Sequence, residues 1–334
     1  MKKTLTVILL ISAIFIYGER IIKLGTLAPS NSPWEVGLNK LAAEWEKISD
    51  GEIKLKIYTG GVAGDERDML RKLRLNQLQA VGVTGLGLRV IFPDIMSLQL
   101  PMVIRDTEEL LYVFEKMAPF YEENLEKRGY KVIIWSIVGW AHFFTQKPVV
   151  YPEDLKKQKL WVWQGEAREI QTWKKFGFHV VPLPSTELMT ALQSGMVEGF
   201  TTNAIQAAVS QWFGLANHMC GMKWAPFVGA IIISKRQWDR FPDEIKPKLL
   251  KAVEEVKAML AADILAANDK SIEVMTKHGL QISEVPEDAI KAWEKEVKRG
   301  VEEHLVGNTV SKEAYDMVQG YVKEYREKKK KETE

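Results

Sequence analysis

Apolar positions along the chain alternate between the spacing of strands and the spacing of helices. In the first quarter, strands are predicted at 21–24, 53–57 and 80–84, where apolar residues alternate with polar ones or form a short run. Between the first two strands, apolar residues recur every three or four positions, as on one face of a helix: Trp34, Leu38, Leu41, Ala42 and Trp45. Trp45 is therefore predicted to be a core residue.

The same alternation returns in the rest of the chain. Strands are predicted at 132–136, 160–163 and 230–234, and helices at 168–176 and 245–270. Alternating strands and helices indicate α/β units around a mainly parallel sheet. At 334 residues the chain is long enough for two such lobes, and no low-complexity linker separates them.

The strand at 160–163 is unusual because both of its faces are apolar. Trp161 and Trp163 project from one face, and Leu160 and Val162 project from the other. One of these faces is expected to pack in a core, which leaves the role of the other apolar face to be explained. Periodicity alone does not say which face is which.

The first 18 residues have the layout of a secretory signal peptide: two lysines, an apolar run at 4–17, and the small residue Gly18. The run is too short for a comfortable transmembrane span, although an uncleaved anchor is the alternative. No cysteine follows the run, so a lipoprotein is not predicted. The single cysteine, Cys220, excludes an internal disulfide. We expect the exported chain to be periplasmic.

Composition favours neither a nucleic-acid-binding protein nor a recognisable enzyme. The formal net charge is +2, whereas nucleic-acid-binding domains usually carry a basic excess. Phosphate-binding glycine loops, the serine nucleophile elbow and the HExxH zinc helix do not occur in the sequence. The five histidines lack metal-ligand spacing, and Cys220 is expected to be a small buried hydrophobe. The sequence therefore gives no positive signal for catalysis, for a cofactor or for a metal site, and an exported hydrolase stays open as an alternative.

Six segments between 21 and 255 together resemble the extracytoplasmic solute-binding subunit of TRAP transporters, the DctP type. Their order and spacing match that family, and six in sequence form a specific signal. The segments read IIKLGTLAPSNSPWEVGLNKLAAEWEKISDGEIKLKIY, GDERDMLRKLRLNQLQAVGVT, LQLPMVIRDTEELLYVFE, YPEDLKKQKLWVW, VVPLPSTELMTALQSGMVEGF and IIISKRQWDRFPDEIKPKLL.

The resemblance implies an α/β, two-lobed periplasmic binding protein fold, class II-like, with a ligand cleft between the lobes. It implies a signal peptide at 1–18, lobe I at 19–142 plus 229–255, lobe II at 143–228, and C-terminal helices at 256–334 that brace both lobes.

The resemblance also implies a role and partners. The lobes would close around a solute and deliver it to a TRAP membrane permease. A periplasmic tetratricopeptide-repeat protein is a candidate further partner, because some relatives work beside one. A sensory binding protein that presents its closed form to a receptor is the alternative role.

The carboxylate clamp of the family is missing at the matching positions. In the family, the strand matched by KLWVW carries an arginine that forks onto the ligand carboxylate, and Trp161 stands in its place. Ala141 stands where a second arginine is common, and Thr202, next to Asn203, where an asparagine is frequent. A buried carboxylate without an ionic partner is costly. We therefore predict a hydrophobic or uncharged ligand, such as a fatty-acyl or other lipid-like molecule.

The resemblance also assigns residues to the cleft. Trp161 and Trp163 are expected to face it, with Leu160 and Val162 on the packing side; the alternative is that the indoles fill a collapsed cleft. For His142 the favoured alternative is a satisfied, partly buried histidine. The predicted ligand-binding residues are Trp34, Glu66, Trp140, His142, Trp161, Trp163, Phe200, Thr202, Asn203, Trp224 and Phe227.

Two other ligand classes stay open. Tryptophans can form a cage for a quaternary ammonium group, although no carboxylate is assigned to that cage and Glu66 maps only near the cleft. An organic acid is the second class, held by an arginine from elsewhere in the chain; Arg67, Arg105 and Arg168 are the candidates.

Overall fold

A computed structural model describes residues 19–164 and 167–333, and the predicted signal peptide at 1–18 lies outside these residues. The strands are β1 Arg20–Thr26, β2 Ile53–Tyr58, β3 Ala80–Thr84, β4 Tyr130–Thr145, β5 Lys159–Trp163, β6 His179–Leu183, β7 Gly199–Thr202, β8 His218–Cys220, β9 Ala225–Ser234 and β10 Gln281–Ser283.

Helices connect most of these strands. They are α1 Pro33–Ile48, α2 Glu66–Arg74, α3 Gly85–Leu88, α4 Thr107–Lys127, α5 Pro152–Lys156, α6 Ala167–Lys175, α7 Leu188–Gln193, α8 Ala204–Val209, α9 Lys235–Trp238, α10 Lys246–Lys277, α11 Glu287–Gly300 and α12 Lys312–Thr333. Short 3-10 helices lie at Pro93–Gln99, Ser185–Glu187 and Trp212–Gly214, and a π-helical turn lies at Val301–Leu305.

Helix α1 shows how local sequence sets an element. The Ser32 hydroxyl accepts a hydrogen bond from the backbone N–H of Glu35, and Pro33 occupies the first turn, where its missing N–H costs nothing. The apolar stripe predicted from the sequence is the buried face. Trp45 is in the core as predicted, with its indole Nε1 donating to the carbonyl oxygen of Leu249 at 3.3 Å.

The strands form two sheets that share β4, and the order across both is β2-β1-β3-β9-β4-β7-β5-β6. Parallel pairs join β1 to β2 and β3, and β5 to β6 and β7. The expectation of a mainly parallel sheet is incomplete, because β9 runs antiparallel to β3 and β4. It does so because it returns the chain from the second sheet to the first.

Strands β4 and β9 carry the chain between the two lobes. Tyr130 to Ala141 of β4 pairs with β9, and His142 to Thr145 pairs with β7. A bulge lies between Ile137 and Gly139. Gly139 has φ +116°, and a side chain there would meet Asn268 of α10. The predicted lobe limits at 142 and 229 thus fall inside paired strands, not in loops.

Each sheet is covered on both faces. In lobe I, α4 and α12 cover one face, and α1 and α10 cover the other. In lobe II, one face packs against Trp293 of α11 and the other against Leu188 of α7 and Ala204 of α8. The two-lobed α/β fold expected from the sequence is therefore confirmed.

The C-terminal helices contact both lobes. Helix α10 buries Leu249 and Val256 in the core of lobe I and Met275 in that of lobe II. Helix α11 packs on lobe II, and α12 returns to lobe I, where it buries Val318 and Val322. Within 19–164 and 167–333, no helix combines the length and apolar content needed to cross a membrane.

Candidate ligand-binding site

A cavity of about 210 Å³ lies between the lobes. Lobe I contributes part of its wall from α3 and from the stretch 96–101. Lobe II contributes most of the remaining wall, together with α11 and the π-helical turn. The aromatic side chains that line it, counted among the described residues, are Trp161, Trp163, Trp173, Phe176, Phe178, Trp224, Phe227 and Trp293.

Strand β5 does not divide into a packing face and a cleft face as expected. Leu160 and Val162 line the cavity as well as Trp161 and Trp163. Leu160 and Val162 also pack in one core of lobe II, and Trp161 packs in the core on the other face. The expectation was wrong because β5 lies inside the sheet, between β6 and β7, and both faces of the sheet are covered.

Trp161 gives the cavity apolar surface but no free hydrogen-bond donor. Its side chain is 7 % exposed, and its indole Nε1 donates to the carbonyl oxygen of Leu183 at 3.0 Å. The ring lies 5.7 Å from that of Trp163, centroid to centroid. An indole carries a single N–H, and here that N–H is already bonded to Leu183. Trp161 can therefore cover an apolar ligand but has no donor left for a polar group of the ligand.

Asp65 connects the two lobes at the edge of this cavity. Its carboxylate caps α2 by accepting from Glu66 N, and it also accepts from Ser185 N and Trp163 Nε1 of lobe II. Burial raises the pKa of Asp65 above its ordinary value, and the hydrogen bonds oppose that rise. The lobes are therefore held together by polar contacts as well as by packing.

Arg89 and Gln99 are the polar residues of the lobe I wall that sequence reasoning missed. Arg89 follows α3 and is 6 % exposed, and Gln99 ends the 3-10 helix Pro93–Gln99 and is 7 % exposed. A methyl group at Gly85 would overlap the Gln99 amide, so the amide occupies the space that glycine leaves open. The cluster of glycines around α3 was the available signal.

Glu296 is the acidic residue of the cavity wall within the described ranges. Its carboxylate lies 2.7 Å from Lys156 Nζ and 3.7 Å from Arg299 Nη2. Its charge is therefore balanced by the protein.

A second cavity of about 110 Å³ contains Trp34, Glu66 and Asn203. Trp34 Nε1 donates to Ser136 Oγ at 3.2 Å, and the Asn203 side chain caps α8. The Glu66 carboxylate accepts from Thr84 N at 2.7 Å and from Thr84 Oγ1 at 3.0 Å. Burial raises the pKa of Glu66 to about 7.

Four predicted site residues line neither cavity. Trp140 packs in lobe I and donates to Thr107 Oγ1, and Phe200 is fully buried, stacked on Phe144. His142 and Thr202 face each other across the β4–β7 pair. Burial lowers the pKa of His142, whose Nδ1 lies 3.3 Å from the carbonyl oxygen of Cys220, in agreement with a satisfied buried histidine.

Two of the three arginines proposed for an organic acid, Arg67 and Arg105, lie away from both cavities. Arg67 is exposed on α2, and Arg105 is exposed with its Nη2 3.6 Å from Glu294. Arg168 lies in α6, and its side chain falls outside the described part of the chain. Arg67 and Arg105 line neither cavity.

Two lobes joined by long strands, with a ring-lined cavity between them, define a bilobal solute-binding protein. The chain belongs to the DctP family, described as bacterial extracellular solute-binding protein, family 7, whose model matches residues 24–307. Proteins of this family bind solutes outside the cytoplasm and are not enzymes.

Curated relatives match this chain over much of its length at low sequence identity. The chain is 25% identical over 257 residues to the sialic acid-binding periplasmic protein SiaP of Vibrio cholerae, covering 76% of this chain and 80% of that protein. It is 28% identical over 204 residues to YiiZ of Salmonella typhimurium, covering 59% of this chain and 61% of YiiZ.

A solved structure gives the same relationship in three dimensions. The sugar acid binding protein DctPAm of Advenella mimigardefordensis, in complex with galactonate, superposes with a TM-score of 0.84 at 19% identity. The superposition covers 92% of this chain and 99% of that one. At this identity the likeness establishes the fold alone.

Proposed function

We propose that this protein is the solute-binding component of a TRAP-type transporter and captures a small solute with an apolar body between its lobes. The observation that carries the proposal is the cavity of about 210 Å³ walled by aromatic rings. Rings and aliphatic side chains with a few placed polar groups are the usual lining of a small-molecule site.

The size of the cavity favours a ring or a short chain. An engineered cavity of about 150 Å³ in another protein holds benzene, so about 210 Å³ suits one ring with a short substituent. A long fatty-acyl chain, expected from the sequence, fits less well. Covering about 150–250 Å² of apolar ligand surface is worth roughly 4–6 kcal/mol as an upper bound.

Export and partners complete the proposed role. We expect the segment 1–18 to direct secretion and to be removed, which places the protein in the periplasm. A TRAP membrane permease would receive the solute, and a tetratricopeptide-repeat protein is a further candidate partner. Lobe I, 19–142 plus 229–255, and lobe II, 143–228, would move as units, with 256–334 bracing both.

Native mass spectrometry of the purified protein, followed by extraction of the bound molecule, tests this function. We expect a small co-purified molecule with a ring or short chain. When it is added back to the protein, it should protect the tryptophan fluorescence from quenching. A strongly hydrophilic bound solute such as a sugar would contradict an apolar body.

An organic acid with an apolar body is the second candidate. The lobe I wall contains the buried guanidinium of Arg89, and two relatives are named for sialic acid and for sugar acids. A quaternary ammonium ligand is less favoured, because Glu296, the acidic residue of the cavity wall in the described ranges, is already balanced by Lys156. Isothermal titration with matched acid and amide pairs separates these classes.

A further inference from the structure

The lobe I wall of the aromatic cavity holds two buried polar side chains, Arg89 and Gln99. They come from different elements, the end of α3 and the end of the 3-10 helix Pro93–Gln99, and meet at one cavity. Polar groups set into an otherwise apolar wall are typical of groups that orient a ligand.

Gln99 lines the cavity, and its amide nitrogen has a weak acceptor in the protein. Its Oε1 accepts from the backbone N–H of Val228 at 3.3 Å, which fixes the orientation of the amide. Its Nε2 lies 3.6 Å from Met96 Sδ, a thioether and therefore a weak acceptor. A ligand oxygen is a stronger acceptor for the same amide.

Arg89 adds permanent charge and a planar fork. A guanidinium has five N–H donors, so it can donate to two ligand oxygens and keep contacts with the protein. In a desolvated site such charge-assisted bonds are shorter and stronger than those between neutral groups.

The opposite wall has a different character. Trp173, Phe176 and Trp224 cover it with rings, and Glu296 is engaged by Lys156 at 2.7 Å. Lobe I therefore supplies the guanidinium and the amide of the cavity wall, and lobe II with α11 supplies its rings.

We propose that Arg89 and Gln99 hold the anionic head of a small ring-bearing solute against lobe I, while the rings of lobe II cover its body. This inference rests on the proposed function of the cavity. The head would lie against lobe I. Strand β5 belongs to lobe II, and by the resemblance its Trp161 stands at the position of the family's arginine. The solute would therefore be oriented by lobe I and not by β5.

Titration calorimetry with paired ligands tests the assignment. The pairs are phenylacetate with 2-phenylacetamide and cyclohexanecarboxylate with its carboxamide, added to protein stripped of any co-purified molecule. The variants are Arg89→Gln, Arg89→Lys and Gln99→Glu, which keeps an oxygen for Val228 N but replaces the amide donor by a negative charge. Arg128→Gln, an exposed arginine of lobe I away from the cavity, is the control.

We expect the carboxylates to bind on the order of tenfold more tightly than the amides in the unchanged protein. Arg89→Gln should abolish that preference without weakening amide binding, and Gln99→Glu should weaken the carboxylate more than the amide. Arg89→Lys should keep part of the preference, since it retains charge without the fork. Arg128→Gln should change neither affinity.

Equal binding of acid and amide, or a preference that survives Arg89→Gln, would overturn the inference and leave an apolar solute site in place. If acid, amide and ethylbenzene all fail to bind, the proposed function of the cavity fails with it. Circular dichroism of each variant separates loss of fold from loss of the site, and Arg89→Lys keeps the test decisive if Arg89→Gln does not fold.

Discussion

Glu66 is a buried carboxyl group whose position is set by backbone and hydroxyl donors. It accepts two hydrogen bonds from Thr84, and a methyl group at Gly87 would overlap its Oε2. The sequence placed it near the cleft as a ligand contact. In the structure it ties α2 to the β3–α3 turn beside the smaller cavity, so its donors are already supplied by the protein.

The raised pKa of Glu66 gives a pH prediction. The folded state binds this proton more tightly than the unfolded state, so the free energy of unfolding should fall as pH rises from about 4.5 to about 7 and level off above. The contribution is about 3 kcal/mol at most. Urea unfolding between pH 4.5 and 8 should therefore show a shallower decline for Glu66→Gln.

Asp68→Asn provides the matched control, because Asp68 lies exposed on the same helix and pairs with Arg71. Its unfolding profile should follow that of the unchanged protein. An identical pH slope in Glu66→Gln would show that this carboxyl does not titrate in the folded state over that range.

At the scale of elements, helix α12 is attached to lobe I by an ion pair with one buried member. Arg326 Nε donates to Glu109 Oε1 at 2.7 Å, and Arg326 Nη2 donates to the carbonyl oxygen of Val103 at 3.0 Å. Glu109 is 1 % exposed and also accepts from Arg105 N. Removing the arginine would leave a carboxylate buried without its cation.

We expect Arg326→Met to lower the free energy of unfolding by about 2–3 kcal/mol, less than for a fully buried pair because Arg326 is 39% exposed. Amide hydrogen exchange should accelerate in α12. Lys323→Met is the control, since Lys323 is exposed on the same helix with an i,i+4 partner at 3.8 Å. Equal stability of the two variants would mean that packing of Val318 and Val322 alone holds α12.

At the scale of the whole molecule, closure of the lobes has a contribution that needs no ligand. Asp65 of lobe I accepts hydrogen bonds from Ser185 N and Trp163 Nε1 of lobe II. These contacts exist only when the lobes approach, so they bias the equilibrium between open and closed forms. A solute then adds its own contacts to a partly prepared interface.

Trp163→Phe should shift the ligand-free protein toward the open form, because it removes the indole N–H and keeps an aromatic ring at the cavity. Loss of one hydrogen bond to a carboxylate should raise the ratio of open to closed protein on the order of tenfold. Small-angle X-ray scattering should show a larger radius of gyration. Trp173→Phe changes a ring in the same cavity wall and should leave the radius unchanged; equal radii for both variants would count against the Asp65 contacts.

The sequence by itself determined the periodic elements and the family. Helix α1, with its serine cap and apolar stripe, was readable because capping and helical spacing are local properties. The resemblance also predicted that Trp161 and Ala141 stand at positions where the family carries arginines. The buried position of Trp45 followed from the same spacing.

Only the tertiary structure decided which apolar and polar residues meet at the cavity. Periodicity reports that a face is buried, not what covers it, so Phe200 and Trp140 read as cleft residues although they pack inside the lobes. Arg89 follows α3 and Gln99 ends the next short helix, ten positions later. Their shared cavity depends on how these segments pack around Gly85. A site between two lobes is made by contacts between distant segments, and no local pattern encodes them.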